Sequence, residues 1–398
     1  MENFGSHINK IDKDVYDLTI LGVHLYSSAY PNTKFVIDLI RCSECITCGE
    51  INKPLFSKRL GIRGDQGVFS KLCESIRFAV RVVYCHCYVI LRGCIAHNLN
   101  VVYIPYPAVG VLAIYSFLPT ALRPEKIVAE AFISIYDTAV IDRKLLTPIG
   151  VAARMLRWIE RRAYSAASVV IVDTEENSRY YASLFDLPES KFTPVPLATD
   201  EHNYAYRSYT KDKSVCNVLF VGTFVPLQGV DIIAHAINSL KYREDIKFTV
   251  LGSGQSALQF ANIIGQVIPD NLIWFQEWED SVGVAALIDS ADMCLGIFSE
   301  AHKTERVWPF KNYAYMACGR AIITGDTECA RRLLADQPDP AFVTVPTGNA
   351  DALAQKIELL ADSPDMREKL SQNARKFYEH HLCNRLVEKK LIEEILLK

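Results

Sequence analysis

This 398-residue sequence has no clustered run of Lys and Arg, no P-loop, no complete GxGxxG and no long uncharged apolar stretch. Each absence removes a class of function. With a formal net charge of -3 and no basic patch, the electrostatic footprint that nucleic acid requires is missing. The opening "MENFGSHINKIDKDVYD" is polar throughout, without a basic start, an apolar core and a small-residue cleavage site, so the chain is expected in the cytoplasm. The longest apolar stretch, Ile76 to Ile95, is broken by Arg77, Arg81, His86 and Arg92, whereas a membrane span wants about 20 mostly uncharged residues. An amphipathic helix remains, either packed in a domain or presenting a basic, aromatic face to an anionic bilayer.

Cysteine is not scarce. Twelve occur, and in a cytoplasmic chain they read as reduced thiols rather than as a disulfide framework. Cys42, Cys45 and Cys48 have ligand-like spacing, but no fourth ligand stands at a usual offset. Cys85, His86 and Cys87 would point to different faces of a helix. No metal site is expected. Asp12 and Asp14 form a DxD pair, but it precedes the first strand and reads as solvated tail.

The chain is half hydrophobic and long enough for two cores. Strand-like and helix-like segments alternate. Residues 17–23, 100–104, 126–133 and 168–172 read as strands, with helices over 33–41 and 151–166. A polar break at 198–214 separates them from a second series, with strands at 218–221, 248–251, 272–275, 293–297 and 321–324 and helices between. Two doubly wound α/β domains, residues 1–200 and 201–376, are therefore expected to face each other across a cleft, followed by a charged helical tail at 377–398 for which composition alone does not choose a domain, packing back on the first being one option.

Three glycine-bearing turns follow strands of the second series: Gly222 with Gly229, Gly252 with Gly254, and Gly325. Tight turns of this kind let backbone amides approach phosphate. A further oddity lies in "ERVWPFKNYAYMACGRAIITGD", residues 305–326, where Pro309 to Cys318 reads as a short helix closed by Gly319. Arg306 and Lys311 bracket its start, the end that repels cations by about 0.3 to 1 kcal/mol each. Either the two side chains point away and pair with Glu300, Glu305 or Asp326, or an anion binds there.

Together these segments resemble the retaining glycosyltransferases of family 4, which have the two-domain GT-B fold. "NVLFVGTFVPLQGVDIIAHAI", "KFTVLGSGQ" and "ADMCLGIFSEAHKTERVWPFKNYAYMACGRAIITGD" carry the likeness in the second half. "VVYIPYP", "EAFISIYDTAVIDR" and "SVVIVDTEENSRYY" resemble a bacterial surface-polysaccharide branch in the first. The resemblance implies a nucleotide-sugar donor held by the second domain, a glycan or lipid-linked glycan acceptor held by the first, and no metal or other cofactor. It also implies a mechanism in which a donor phosphate oxygen takes the acceptor proton while the leaving group departs from the same face.

The sequence departs from that family where charge matters most. Loop cations that hold the donor diphosphate in many members are replaced by Thr223 and Gln228, and two glutamates around the donor-binding helix by Arg306 and Ala314. Arg306 and Lys311 are then expected to neutralise the diphosphate, with Gly222, Thr223, Gln228, Gly252 and Gly254 around it. Asp326 and Glu277 are candidates for the ribose and Trp278 for the base. Asp137 stands in for the family's histidine near the reacting sugar, with an N-cap or turn role as the alternative. Tyr26, Ser27, Tyr30 and Tyr136 are expected on the acceptor side.

Overall fold

The computed structural model describes residues 17–26, 31–55, 68–96, 99–209, 214–335 and 337–397. Asp12, Asp14, Ser27 and Tyr30 lie outside them. The first domain runs β1 (Leu18–Gly22), α1 (Pro31–Cys42), β2 (Cys48–Asn52), α2 (Val68–Ile95), β3 (Val101–Ile104), α3 (Val109–Tyr115), β4 (Lys126–Glu130), α4 (Val151–Ala166), β5 (Val169–Val172), α5 (Glu175–Phe185) and β6 (Phe192–Pro194). The second runs β7 (Cys216–Val221), α6 (Val230–Ser239), β8 (Ile246–Leu251), α7 (Ala257–Ile264), β9 (Leu272–Phe275), α8 (Ser281–Ser290), β10 (Met293–Leu295), α9 (Phe310–Ala317), β11 (Ala321–Gly325), α10 (Glu328–Leu334), β12 (Val343–Val345), α11 (Ala350–Ala361) and α12 (Pro364–Phe377). The tail adds α13 (Asn384–Glu388) and wider helical turns to residue 396.

Each domain is built on a six-stranded parallel sheet, ordered β2-β1-β3-β4-β5-β6 in the first and β12-β11-β10-β7-β8-β9 in the second. Parallel strands covered on both faces read as continuous apolar runs, which is why "LTILG", "VVIV" and "AIITG" are buried end to end or nearly so. In the second sheet the strand order reverses between β7 and β10, paired in register from Met293↔Val218 to Leu295↔Phe220. A ligand of such a sheet sits outside the carboxyl ends at that reversal. Gly222 and Gly296, the residues just past these two strands, therefore mark the expected site.

In the first domain, α2 to α5 cover one face of the sheet through Val89, Leu112, Tyr164 and Phe185. The other face is covered by α1 together with the tail, whose Val387, Leu391, Ile392 and Ile395 pack on Ile20, Tyr103 and Val128. The chain thus returns to its first domain after completing the second. Arg77–Ile95 of α2, at mean hydropathy 1.5, is long and apolar enough by composition to cross a membrane, although its cations argue otherwise. Here it packs Cys85, Val89 and Ile90 inward, and His86 rests so closely on Gly110 of α3 that a Cβ there would collide with the imidazole. Cys42 ends α1 and Cys48 begins β2, so the cysteine-rich stretch is the turn between them. Among the described residues no three His, Cys, Asp or Glu side chains gather in a metal-binding group.

Candidate donor site at the domain cleft

The helix at "PFKNYAYMACG" begins at Phe310, with Pro309 extended before it, and ends on Gly319 in the left-handed region (φ 65°). Its two bracketing cations have different fates. Arg306 lies in the turn before α9 and reaches across to the first domain. Its Nη2 donates to Asp137 Oδ1 at 2.6 Å, its Nη1 to Asn177 Oδ1 at 2.9 Å, and its guanidinium lies 3.6 Å from the Tyr180 ring centroid. Its partner is thus none of the surface carboxylates proposed from sequence. The anion at the helix start is Asp137, and Arg306 is spent on it except for a buried, unpartnered Nε.

Asp137 is itself fully buried. Tyr180 Oη donates to the same Oδ1 at 3.1 Å, and Lys303 Nζ lies 3.3 Å from Oδ2 and 3.7 Å from Asp142. The turn that presents Asp137 is fastened from below by Glu160. That buried carboxylate accepts from Ser134 Oγ, the amides of Ile135 and Tyr136, and Tyr164 Oη, at 2.8 to 3.1 Å. Burial raises the pKa of Glu160, opposed by these donors. Asp173, at the end of β5, is pushed up to about 6 by burial, with Asn177 Nδ2 donating to it at 2.6 Å. The cleft between the domains is therefore bridged by first-domain carboxylates and second-domain cations.

Lys311 stays within its own domain. Its ammonium sits 3.8 Å from the Phe220 ring centroid and 3.5 Å from Gly296 O, and it has no carboxylate partner among the described residues. Burial alone holds its pKa well below the ordinary lysine value. Beside it, Asn312 is fully buried with neither amide atom hydrogen-bonded, facing the carboxyl ends of β10 and β11, where a Cβ on Gly296 would lie 3.2 Å from its Oδ1 and collide with Thr324 Oγ1. Buried polar groups are normally paired. A cation without a carboxylate and a free amide therefore stand side by side in the first turn of α9, where exposed backbone amides also favour an anion.

The neighbouring loops are packed backbone to backbone. Gly252 and Gly254 adopt φ of 139° and 153°, and a Cβ on either would collide with the carbonyl oxygen of Gly222 or Thr223. These glycines thus allow the loops after β7 and β8 to touch backbone to backbone. Gln228 is also occupied, its Oε1 accepting from Phe224 N at 3.1 Å, and Phe224 (φ 46°) is held in place by stacking on Trp274. A polar concavity remains between the loops after β7, β8 and β10, lined by Pro226, Gln255, Ser256, Ser299 and Glu300.

Several expected contacts fall elsewhere. Tyr136 is buried in the core of the first domain and cannot meet an acceptor. Tyr26 donates to Asp38 at 2.5 Å, beneath the Arg41 guanidinium. Asp326 pairs with Arg331 at 3.4 Å on the surface. Trp278 is 52% exposed, and Glu277 is exposed beside it. Sequence reasoning missed Asn312, Asn177, Lys303 and Glu160. The first three could have been sought as polar residues flanking expected turns, but Glu160, set among arginines in "RWIERR", looks like a solvated position.

The architecture, two parallel sheets facing across a cleft, is that of the GT-B fold. HepE of Anabaena in complex with UDP has a TM-score of 0.66 at 12% identity, over 96% of this chain and 100% of that one. A glycosyltransferase from Rickettsia africae has a TM-score of 0.61 at 13% identity, over 96% and 98%. Residues 206–377, nearly the whole second domain, match the family model described as glycosyl transferases group 1. Alpha-D-kanosaminyltransferase of Streptomyces kanamyceticus is 23% identical over 287 residues, 67% of this chain and 69% of that relative.

Proposed function

We propose that the chain is a retaining glycosyltransferase of family 4 that moves a sugar from a nucleoside diphosphate to a glycan acceptor in bacterial surface-polysaccharide synthesis. The observation that carries this reading is the cluster at the start of α9, at the carboxyl ends of the second sheet, where Asn312 is buried with neither amide atom paired and Lys311, partly buried, has only the Gly296 carbonyl and no carboxylate partner among the described residues. A diphosphate supplies what each lacks. Its charge favours the ammonium form of Lys311, and its oxygens accept from the Asn312 amide. The group 1 match over the same domain supports the reading, as does the binding of UDP by HepE. Preorganised donors of this kind stabilise charge on a departing diphosphate without a protein nucleophile, and Lys311 does so in place of a divalent metal.

Arg306 serves differently from the sequence expectation. Paired with Asp137, it holds the first-domain loop against the second. The acceptor is a lipid-linked glycan, met at the inner face of the plasma membrane.

The same pairing, with Ala314 where a ribose-binding glutamate is expected, also favours a second reading: a catalytically silent protein that binds glycan or scaffolds a synthesis complex. Thermal-shift measurements with uridine and guanosine diphosphate separate the two, since a scaffold needs no diphosphate site. The enzyme reading predicts stabilisation by one of them, and transfer that persists in chelator. No shift with either would favour the scaffold, and activity lost to chelator and restored by magnesium or manganese would remove the metal-free site.

A further inference from the structure

The outward surface of the helical layer formed by α2, α3 and α4 is apolar and predominantly cationic, with Glu125 and Asp186 at its edge. On α2, Val80, Tyr84, Leu91 and Ile95 recur at helical spacing and stay exposed, Leu91 by 62%, while the opposite side is buried. On α4, Val151, Met155 and Trp158 form a second exposed stripe at i, i+4 and i+7. The space between is bridged by Phe117, 6.0 Å from Trp158 and 4.4 Å from the Arg162 guanidinium, and by Leu122, whose carbonyl faces Cys94 of α2. Every exposed charged side chain on residues 77–95, 116–124 and 143–166 is Lys or Arg. The one carboxylate there, Glu160, is buried beneath the Asp137 turn. In a chain of net charge -3, this asymmetry singles the face out. A second protein or a second copy would need an acidic patch to match; a bilayer with anionic headgroups and an apolar interior matches both features at once.

We infer that α2 and α4 together dock on an anionic lipid bilayer, and that residues 143–150 lead from that surface to the cleft. The path is continuous in the chain. Ile133 and Ile135 are exposed at the cleft beside Asp137, Leu145 N donates to Ala139 O at 2.7 Å to fold the next loop against the Asp137 turn, and exposed Leu145 and Ile149 hand over to Val151 at the start of α4. A lipid-linked acceptor keeps its tail along this apolar strip while its polar head enters the cleft. The acceptor route rests on the proposed transferase reading; the docking face does not.

Cosedimentation with phosphatidylglycerol-rich and with pure phosphatidylcholine vesicles tests the inference, using wild type, Leu91→Gln/Ile95→Gln on α2, Ile149→Gln/Met155→Gln at α4, and Lys144→Glu/Arg154→Glu. All these positions are exposed and outside the diphosphate site. Wild type is expected to bind the anionic vesicles only, and each pair of changes to lower partitioning on the order of tenfold or more. Uridine diphosphate binding, measured alongside, should be unchanged in every variant. Failure of wild type to sediment, or wild-type partitioning by either α4 variant, overturns the inference. Loss of self-association without loss of vesicle binding would instead assign the face to a second copy and equally overturn it. Vesicle binding without diphosphate binding in wild type would overturn the transferase reading and leave the docking face standing.

Discussion

Arg306 and Lys311 are five residues apart, yet their environments send them in opposite directions. Arg306 has a planar fork and finds a buried carboxylate and an aromatic face, so it becomes structural. Lys311 finds a ring and a carbonyl and remains uncompensated. The sequence showed that cations at a helix start need an anion, but not that Asp137, 169 positions away, would supply one of the two. Another buried carboxyl yields a pH prediction. Glu130, at the end of β4, accepts from Tyr103 Oη and Tyr106 N (2.8 Å), and burial lifts it from 4.5 to about 7. Because the folded value is the higher one, its contribution to stability is complete below about pH 4.5 and is lost as pH rises through about 7. Glu130→Gln costs stability through a mismatched hydrogen bond but abolishes that loss. The excess melting temperature of wild type over the variant should therefore shrink between pH 4.5 and 7 and level off above; a constant difference would contradict the assignment.

At the scale of elements, most of the fold was legible. The long apolar or periodic segments, α4 and β7 to β11 among them, fall within a few residues of where their patterns put them. The strands β2, β6 and β12 were not expected, since "CGEIN", "FTP" and "VTV" are too short or too polar to show a period and form only because a neighbouring strand pairs with them. The glycine turns were found, but their contact with one another was not, because loop-to-loop packing depends on a register that only the assembled sheet defines. That packing gives a prediction. Gly254→Ala places a Cβ against Thr223 O at a backbone angle that disfavours side chains, so it should cost at least about 1 to 3 kcal/mol in denaturant melts. It should also weaken diphosphate binding through the displaced Gly222–Thr223 loop. A neutral effect on stability would mean that the two loops are not in contact.

At the scale of the whole molecule, the two domains are joined by the linker, by the returning tail and by an ionic seam: Arg306 with Asp137, Lys303 with Asp142, and Arg332 with Glu176 at 2.6 Å. Breaking one partner of a buried pair leaves an uncompensated charge, typically about 3 to 5 kcal/mol, whereas removing both is far milder. Asp137→Asn and Arg306→Met should each destabilise the protein, and the double variant by clearly less than their sum in denaturant melts. Additivity would show that the pair is not formed in solution. The central claim, however, concerns the cluster left unpaired at the start of α9. Calorimetric titration of wild type, Lys311→Ala and Asn312→Ala with whichever nucleoside diphosphate stabilises the protein tests it most directly. The account predicts a wild-type affinity that falls about ten- to a hundredfold in Lys311→Ala, with a smaller loss in Asn312→Ala and no collapse of the fold. Wild-type affinity in Lys311→Ala would contradict it and place the diphosphate elsewhere, at the polar concavity beside Gln255 and Glu300.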